Sequence, residues 1–320
     1  MNKISIVVPI YNIKDYLSRC LDSIKSQSFA DFICYCVNDG STDGSGEIIK
    51  QFLNDNRFHL LNKPNGGLSD ARNFALNQIE SEYVLFVDGD DYLEPDLLKK
   101  AIEQLENSKS DILAFCYYQH YMDGSKEMIH LNKPNGTYKL ESNKELLALT
   151  PNAAWNKFYR TRLFKDNNIE YPKGYRYEDL GTTPKLLLKA NSIDYLDTPL
   201  YNYIVNRPDN ITSKVDNKIY DIFNMCENIL EYYKANNKYD DYREELEYLC
   251  SINLIQALRK AATLKDKEFV NKFIDDVFDF KQKHSFNKIS KYKNYLEKSD
   301  DVYLSKTKCK SYYLLKSIKG

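Results

Sequence analysis

The first hundred residues alternate short apolar runs with helical repeats of apolar positions. The apolar runs predict β-strands at Ile4–Val8, Phe32–Val37, Phe58–Leu61 and Tyr83–Val87. Between them apolar residues recur at three- and four-residue spacing, as in residues 68–79, which predicts amphipathic helices. Strands separated by helices of this length indicate right-handed crossovers and a mainly parallel sheet. The sequence therefore predicts an α/β domain.

From about Asp216 onward the pattern is purely helical. Three segments with helical spacing, at residues 219–233, 246–258 and 269–278, predict a helical C-terminal region. We predict an α/β domain at residues 1–215 and a helical region with a basic tail at residues 216–320. Beyond Val302 the tail has five lysines and no acidic residue. It is either a basic amphipathic segment that rests on anionic lipid or a solvated, partly disordered terminus.

Composition narrows the range of partners and compartments. The 320 residues include 45 basic and 46 acidic side chains, and a net charge of -1 gives no basic field for nucleic acid. The seven cysteines show no paired CxxC spacing, and the four histidines form no i, i+4 pair. We expect free buried thiols, and histidines at the surface or in packing. Without a signal peptide or a membrane-length apolar run, we expect a cytoplasmic protein, at most peripheral at the inner face of the membrane.

Two predicted strands end in acidic residues. Asp88-Gly89-Asp90-Asp91 follows the fourth strand, and Asn38-Asp39-Gly40 follows the second. Each is compatible with an ordinary turn. However, carboxyl ends of parallel strands share one crevice, and carboxylates this close repel unless a cation compensates them. Asp90, with Asp88 as a second candidate, could bind Mg²⁺ or Mn²⁺ together with a phosphate-bearing ligand.

A third polar segment, Asn65–Asn73, precedes and opens a predicted helix. Its glycine pair permits a close approach, and backbone N–H groups with Arg72 could bind an anion there, although the pair alone is also typical of an ordinary loop. Neither a GxGxxG after the first strand nor a P-loop ending in Gly-Lys-Ser/Thr is present, which disfavours dehydrogenases and P-loop kinases.

Taken together, these motifs resemble those of a known family. The sequences VVPIYN, VNDGSTDGS, NGGLSDARN and FVDGDDYL, at residues 7–12, 37–45, 65–73 and 86–93, resemble in order the signatures of family 2 glycosyltransferases of GT-A fold. The resemblance implies inverting, metal-dependent transfer of a sugar from a nucleotide diphosphate donor, with UDP as the expected nucleotide. It also implies an acceptor hydroxyl on a glycan or on a lipid-linked or protein-linked glycan, in bacterial surface polysaccharide or glycoprotein synthesis.

The resemblance also implies roles for individual residues on the donor side. It implies that the nucleotide sugar is bound by Pro9, Tyr11, Asn12, Asp39, Gly67, Asp70, Arg72, Asp88, Gly89, Asp90 and Arg207. Within this set Asp39 would accept a hydrogen bond from the base, Asp88 would contact the ribose, and Asp90 would bind Mn²⁺ or Mg²⁺. Arg207 would help to neutralise the departing diphosphate.

The acceptor side involves a later part of the chain. Glu178 and Asp179 resemble the family's acidic pair, which implies Asp179 as the base that takes the acceptor proton and Glu178 as an acceptor contact. From the residues alone the pair could equally be an acidic helix start. Trp155, in a segment that resembles one beneath the acceptor, could stack on a sugar or anchor the core.

Two other functions were weighed against transfer. A nucleotidyltransferase would carry a glycine-rich, arginine-containing loop where Pro9–Asn12 stands. A non-catalytic nucleotide-sugar-binding partner of another transferase would not need both Asp90 and Asp179. The helical region and tail, which the resemblance does not cover, would set acceptor choice, membrane contact or self-association.

Overall fold

The computed structural model describes residues 2–131, 133–205, 216–286, 290–295 and 305–319. The strands are β1 Ile4–Ile10, β2 Phe32–Asn38, β3 Phe58–Asn62, β4 Tyr83–Phe86, β5 Tyr92–Leu93, β6 Ile112–His120, β7 Lys126–Ile129, β8 Gly136–Tyr138, β9 Lys157–Arg160 and β10 Ile193–Ile204. The helices are α1 Lys14–Lys25, α2 Ser45–Lys50, α3 Leu68–Leu76, α4 Leu97–Ser108, α5 Glu145–Leu149, α6 Arg162–Lys165, α7 Glu178–Lys189, α8 Asp221–Ala235, α9 Arg243–Ala261, α10 Lys267–Lys283 and α11 Lys306–Lys319. Short 3-10 turns occur at Asn217–Tyr220 and Ser290–Tyr295.

The described strands form one sheet in the order β3-β2-β1-β4-β9-β6-β10-β5, with β7 beside β6 and β8 beside β10. Strands β3, β2, β1 and β4 are parallel, and β9 runs antiparallel between β4 and β6. The predicted α/β class is confirmed. The carboxyl ends of β1, β2 and β4, which carry the predicted donor residues, therefore meet at one edge of the sheet.

Strand β1 continues past the proline that we expected to end it. Pro9 aligns with Val37 of β2, and Ile10 aligns with Asn38. Pro9 has no backbone N–H, but the pairing of β1 with β4 stops at Val7 and Phe86. The ladder on that side has therefore ended before the proline, and no hydrogen bond is lost.

The core follows the alternation of side chains along β1. Ile4, Ile6 and Val8 join a buried cluster with Leu17 and Leu21 of α1. The opposite face of the sheet carries an aromatic cluster made of Phe86, Tyr159, Phe164 and Tyr171. Because period-two alternation places successive side chains on opposite faces, both faces of the central strands are covered.

The described residues divide into two compact units, Met1–Asn143 with Thr150–Asn210, and Lys144–Leu149 with Ile211–Gly320. The predicted boundary at residue 215 stays a prediction, because residues 206–215 lie outside the described ranges. The second unit is helical, and its helices bury the expected apolar stripes, such as Ile222, Cys226 and Ile229 of α8. Among the described residues no helix combines the length and apolarity that crossing a bilayer requires.

The basic tail forms helix α11 in the second unit. Lys306 and Lys310 lie 2.8 Å and 2.7 Å from the carboxylate of Asp275 in α10. Cys309 is buried, and the Tyr313 hydroxyl donates to the Leu258 carbonyl at 3.1 Å. The described part of the tail is therefore packed on its own unit, and contact with a membrane stays a prediction.

A buried carboxylate connects three elements of the first unit. Asp194 of β10 accepts hydrogen bonds from Ser110 at 2.8 Å, from Thr137 at 2.6 Å, from Gln104 at 3.2 Å and from Ser108. Its side chain is fully buried. These bonds join α4, β8 and β10 at the amino end of β10.

We expect Asp194→Ala to lower the free energy of unfolding of the first unit by about 3 kcal/mol, because it removes a buried carboxylate that accepts four hydrogen bonds, one of them from the buried Ser110. Urea denaturation followed by tryptophan fluorescence measures this, since Trp155, the single tryptophan, lies in that unit. Asp194→Asn keeps one acceptor oxygen and should cost less. Equal stability of the alanine variant and the unchanged protein would show that the hydrogen bonds to Asp194 do not stabilise the first unit.

Candidate active site

The end of β2 places a buried carboxylate at the edge of the crevice. Asp39 accepts hydrogen bonds from the backbone N–H groups of Gly66 at 2.9 Å and Gly67 at 2.8 Å, and it forms an ion pair with Lys63. A carboxylate offers about four acceptor positions. Three are occupied by these donors, which leaves one acceptor position on Oδ2 for the predicted contact with a base.

Helix α3 begins on the predicted glycine pair. A Cβ added at Gly66 would lie 2.3 Å from Oδ2 of Asp70, and Gly67 adopts a φ of 87°. The positive φ at Gly67 favours glycine, and a side chain at Gly66 would displace the Asp70 carboxylate. Asp70 pairs with Lys63 at 2.6 Å and with Lys173 at 2.7 Å, and these two ammonium groups lower the pKa of its carboxyl.

The segment after β1 lies beside the loop that follows β2. Asn12, with a φ of 50°, accepts a hydrogen bond from the backbone of Thr42 at 2.8 Å and donates its own N–H to Ser41 at 3.2 Å. Tyr11 is half exposed, so its ring is available to a ligand. Pro9 is buried within β1. The nucleotide contacts of these residues stay predictions.

The four residues after β4 have different environments. A Cβ at Gly89 would clash with Cδ1 of Ile13, so the loop packs tightly against the residue that precedes α1. Asp91 is buried and accepts from the Tyr201 hydroxyl and the Ile204 N–H, both at 2.8 Å. Asp91 therefore ties the loop to β10, whereas Asp88 and Asp90 are partly exposed.

Arg72 of α3 lies buried among three carboxylates. Its guanidinium is 3.1 Å from Asp88, 3.1 Å from Glu178 and 2.8 Å from Asp179. The side chain is 1% exposed. Arg72, a predicted nucleotide-sugar contact, thus bridges the loop after β4 and the start of α7, and its contact with the donor stays a prediction.

The acidic pair opens helix α7, as the alternative interpretation of the pair expected. The preceding Tyr177 adopts a left-handed conformation with a φ of 61°. Asp179 accepts a hydrogen bond from Nη1 of Arg72 on Oδ1 at 2.8 Å and one from the Ala154 N–H on Oδ2 at 3.0 Å. The helix start and these two donors fix the orientation of the carboxylate at the crevice, so the two interpretations of the pair are compatible.

Negative charge exceeds positive charge in this cluster. Burial and, next, the neighbouring Asp179 carboxylate together raise the pKa of Glu178 to about 7, while Arg72 opposes the shift. The pKa of Asp88 rises to about 6 through burial, with Asp90 and Asp179 adding to the effect and Arg72 again opposing it. One guanidinium therefore does not compensate the carboxylates that surround it.

The donor set of Asp88 and Asp90 fits a hard divalent cation that a phosphate ligand helps to bind. Among the described residues, no group of three His, Cys, Asp or Glu ligands converges at this crevice. Mg²⁺ commonly uses one or two carboxylates and completes its coordination with water and substrate phosphates. The uncompensated charge of the cluster favours a cation at the same place.

Two further polar residues at the crevice escaped the sequence reasoning. Lys157 of β9 is fully buried and donates to Ala153 at 2.9 Å, to Asn156 at 2.6 Å and to Pro151. Burial lowers its pKa to about 7, although Asp179 opposes the shift. The available signal was a lysine at the start of a strand whose next two residues, Phe158 and Tyr159, are aromatic. The other residue is Lys63, which pairs with both Asp39 and Asp70.

The single tryptophan is a core residue. Trp155 is 7% exposed and stacks on Tyr201 and Tyr203, with ring centroids 4.5 Å and 5.0 Å away. Tyr117 meets it edge-on at 4.7 Å. Trp155 therefore anchors the core, which was one of its two possible roles. A contact of Trp155 with an acceptor sugar stays a prediction. Arg207 lies outside the described residues.

The geometry gathers most of the predicted residues into two groups on the first unit. One group surrounds Asp39 and Asp70, and the other surrounds Arg72. Helix α3 carries a member of each. Such a site can bind a nucleotide at the first group and place a carboxylate base near a phosphate-bearing centre at the second.

The chain belongs to glycosyl transferase family 2. The family model matches residues 5–167, about half of the chain. The match includes β1, β2, α3 and β4, which carry the donor motifs. The predicted family is confirmed.

The chain is similar to two bacterial glycosyltransferases. It is 33% identical over 219 residues to glycosyltransferase GlyA of Streptococcus pneumoniae, and 34% identical over 213 residues to the poly(ribitol-phosphate) beta-N-acetylglucosaminyltransferase TarS of Staphylococcus aureus. These alignments cover 64% and 65% of this chain. They span only 31% and 36% of the two relatives, about a third of their length.

The fold is that of solved GT-A structures. The crystal structure of S. aureus TarS 1-349 in complex with UDP-GlcNAc superimposes with a TM-score of 0.63 at 24% identity. The superposition covers 92% of this chain and 93% of the TarS chain. At this identity the similarity establishes the architecture alone.

We expect the stability of the protein to fall as the pH rises from about 4.5 to about 7, because a raised pKa means that the folded state holds the Glu178 proton more tightly than the unfolded state. This contribution is complete below the ordinary pKa and is lost above the raised one. Glu178→Gln removes the titrating group and should flatten this part of the profile. Urea denaturation across the pH range measures the effect.

The exposed Glu103→Gln serves as the matched control and should reproduce the original profile. If Glu178→Gln retained the full pH dependence, the excess of negative charge around Arg72 would not reside on Glu178.

Proposed function

We propose that the chain is an inverting glycosyltransferase that transfers a sugar from a nucleotide diphosphate donor, with UDP as the nucleotide. The acceptor is a hydroxyl of a glycan or glycoconjugate in bacterial surface polysaccharide or glycoprotein synthesis. The observation that carries this proposal is the bridge of Arg72 between Asp88 and Asp179. It holds a donor-side acid and a candidate base in one crevice.

The donor would bind across the ends of β1, β2 and β4. Asp39 has an acceptor position left for an N–H of the base, and the half-exposed Tyr11 offers a ring face to a ligand. Asp88 would accept from the ribose hydroxyls. Lys63 and Lys173, which pair with Asp70, supply positive charge along this side. The complex of the structurally similar TarS with UDP-GlcNAc supports a UDP-sugar as the donor.

Asp90, with Asp88 close by, would hold Mn²⁺ or Mg²⁺. A bound divalent cation stabilises negative charge on the leaving diphosphate. Burial first, and then the Asp90 and Asp179 carboxylates, raise the pKa of Asp88. A cation at this place would offset the surplus negative charge.

On the acceptor side, Asp179 would take the proton of the attacking hydroxyl. The hydroxyl oxygen forms the new bond to the anomeric carbon from the side opposite to the diphosphate, and the bond from that carbon to the diphosphate oxygen breaks, which inverts the configuration. Arg72 and the Ala154 N–H hold the Asp179 carboxylate in a fixed orientation. Such positioning lowers the barrier to proton transfer.

We expect Asp179→Asn to keep donor binding and to lower the rate of transfer by about a thousandfold, the order that a general base contributes. The amide keeps the shape of the side chain but cannot take a proton. Nucleotide release from donor and acceptor measures transfer, and calorimetry with UDP measures binding. Exposed Asp22→Asn is the control. Near-normal transfer by the Asp179 variant would exclude it as the base.

A screen of nucleotide sugars for Mn²⁺-dependent nucleotide release tests the activity itself. We expect release with a UDP-sugar, and a loss of at least about tenfold in Asp90→Ala because its metal ligand is gone. Binding of UDP-sugar without release, across donors and plausible acceptors, would favour a non-catalytic partner of another transferase.

A further inference from the structure

Three side chains with metal-binding atoms meet away from the residues assigned to donor and acceptor. Cys116 of β6 donates its thiol to Asp197 of β10 at 3.0 Å, and Nδ1 of His130 lies 2.9 Å from the same carboxylate oxygen. The three ligand atoms all lie within 4.8 Å of one another. In the part of the chain that the structure describes, no other group of three such residues comes this close.

The sheet builds this cluster from three separate strands. The antiparallel register of β6 and β7 pairs Tyr117 with Ile129, so His130, one residue further, comes to lie opposite Cys116. The register of β6 and β10 shifts between Leu196 and Pro199, and Asp197 lies within this bulge. A bulge inserts a residue and re-aims a side chain. Here the carboxylate of Asp197 is turned toward the cysteine and the histidine.

The sulfur also accepts a backbone hydrogen bond. The Leu131 N–H donates to Sγ of Cys116 at 3.4 Å, and the Asp197 N–H donates to the side chain of Asn135. Hydrogen bonds to a sulfur ligand and to the segment of a carboxylate ligand are the outer contacts that orient metal-binding groups. Both are present before any ion binds.

One side of the cluster is open to solvent. Cys116 is fully buried, whereas the side chains of His130 and Asp197 are 62% and 42% exposed. An ion therefore has a path to the three ligand atoms and room for a fourth ligand. An exposed histidine–carboxylate pair contributes little to stability by itself, so folding alone gives little reason for the arrangement.

We propose that Cys116, His130 and Asp197 bind a thiophilic divalent cation of the zinc class, with water at the fourth position. One thiolate, one imidazole and one carboxylate are the ligand types that Zn²⁺ takes, and three protein ligands leave a position open. Binding displaces the thiol proton to solvent. The ion would clamp β6, the end of β7 and β10 to one another.

This cation differs in kind from the one proposed at Asp90. Mg²⁺ and Mn²⁺ prefer oxygen donors, whereas a thiolate and an imidazole select zinc and its chemical relatives. The two sites can therefore be filled independently. Excess Mg²⁺ would saturate the oxygen-lined crevice and leave the sulfur site to the softer ion.

Titration of the full chain with Co²⁺, in excess Mg²⁺ and a non-thiol reductant, tests the proposal. We expect one Co²⁺ per chain, with thiolate-to-metal charge-transfer absorption that equimolar Zn²⁺ abolishes. Cys116→Ser should lose this absorption. His130→Gln, a change at an exposed position that leaves the fold intact, should weaken Co²⁺ binding by at least about tenfold.

Exposed His59→Gln on β3 is the matched control and should bind like the unchanged protein. Absence of the charge-transfer band in the folded, unchanged protein would overturn the proposal. So would equal Co²⁺ affinity in His130→Gln and His59→Gln, because the imidazole would then not be a ligand.

Discussion

The geometry of the crevice depends on one buried guanidinium. Arg72 reaches from α3 to the loop after β4 and to the start of α7, so three segments far apart in the chain meet at a single charge. A buried charge without partners costs several kcal/mol, which makes any displacement of these acids expensive. The planar fork of arginine suits this task, because it presents several donors in fixed directions, whereas a lysine ammonium is a single point charge.

The same cluster carries more negative than positive charge, because three carboxylates surround one guanidinium. This surplus negative charge bears on the proposed chemistry. Glu178 and Asp88 both hold protons more readily than isolated acids do. A diphosphate entering this crevice would add further negative charge, so its binding is favourable only together with a cation. Burial lowers the pKa of Lys157, so this lysine adds less positive charge to the cluster than an exposed one would. The proposed cation and donor would therefore enter the crevice together.

The sequence was sufficient for the parallel half of the fold and for the donor motifs, because short apolar runs ended by acidic residues are local signals. Strands β6, β9 and β10 were not predicted. Their pairing is long-range and partly antiparallel, and β10 contains a bulge. The sequence likewise could not show that Arg72 would be buried among acids, that Trp155 would stack within the core, or that Lys63 would join Asp39 to Asp70. Cys116, His130 and Asp197 are scattered in the chain and become neighbours only through strand register.

Two lysines of the C-terminal helix pair with a carboxylate of their own unit. Asp275 of α10 pairs with both Lys306 and Lys310. An anionic surface that recruits these lysines must compete with a carboxylate already in place, so the five lysines of the tail overstate its attraction for lipid. Ions in solution screen the internal pairs as well as the external attraction. Whether these lysines stay paired with Asp275 or bind an external anion therefore depends on the relative strength of the two attractions, and not on the number of lysines in the tail.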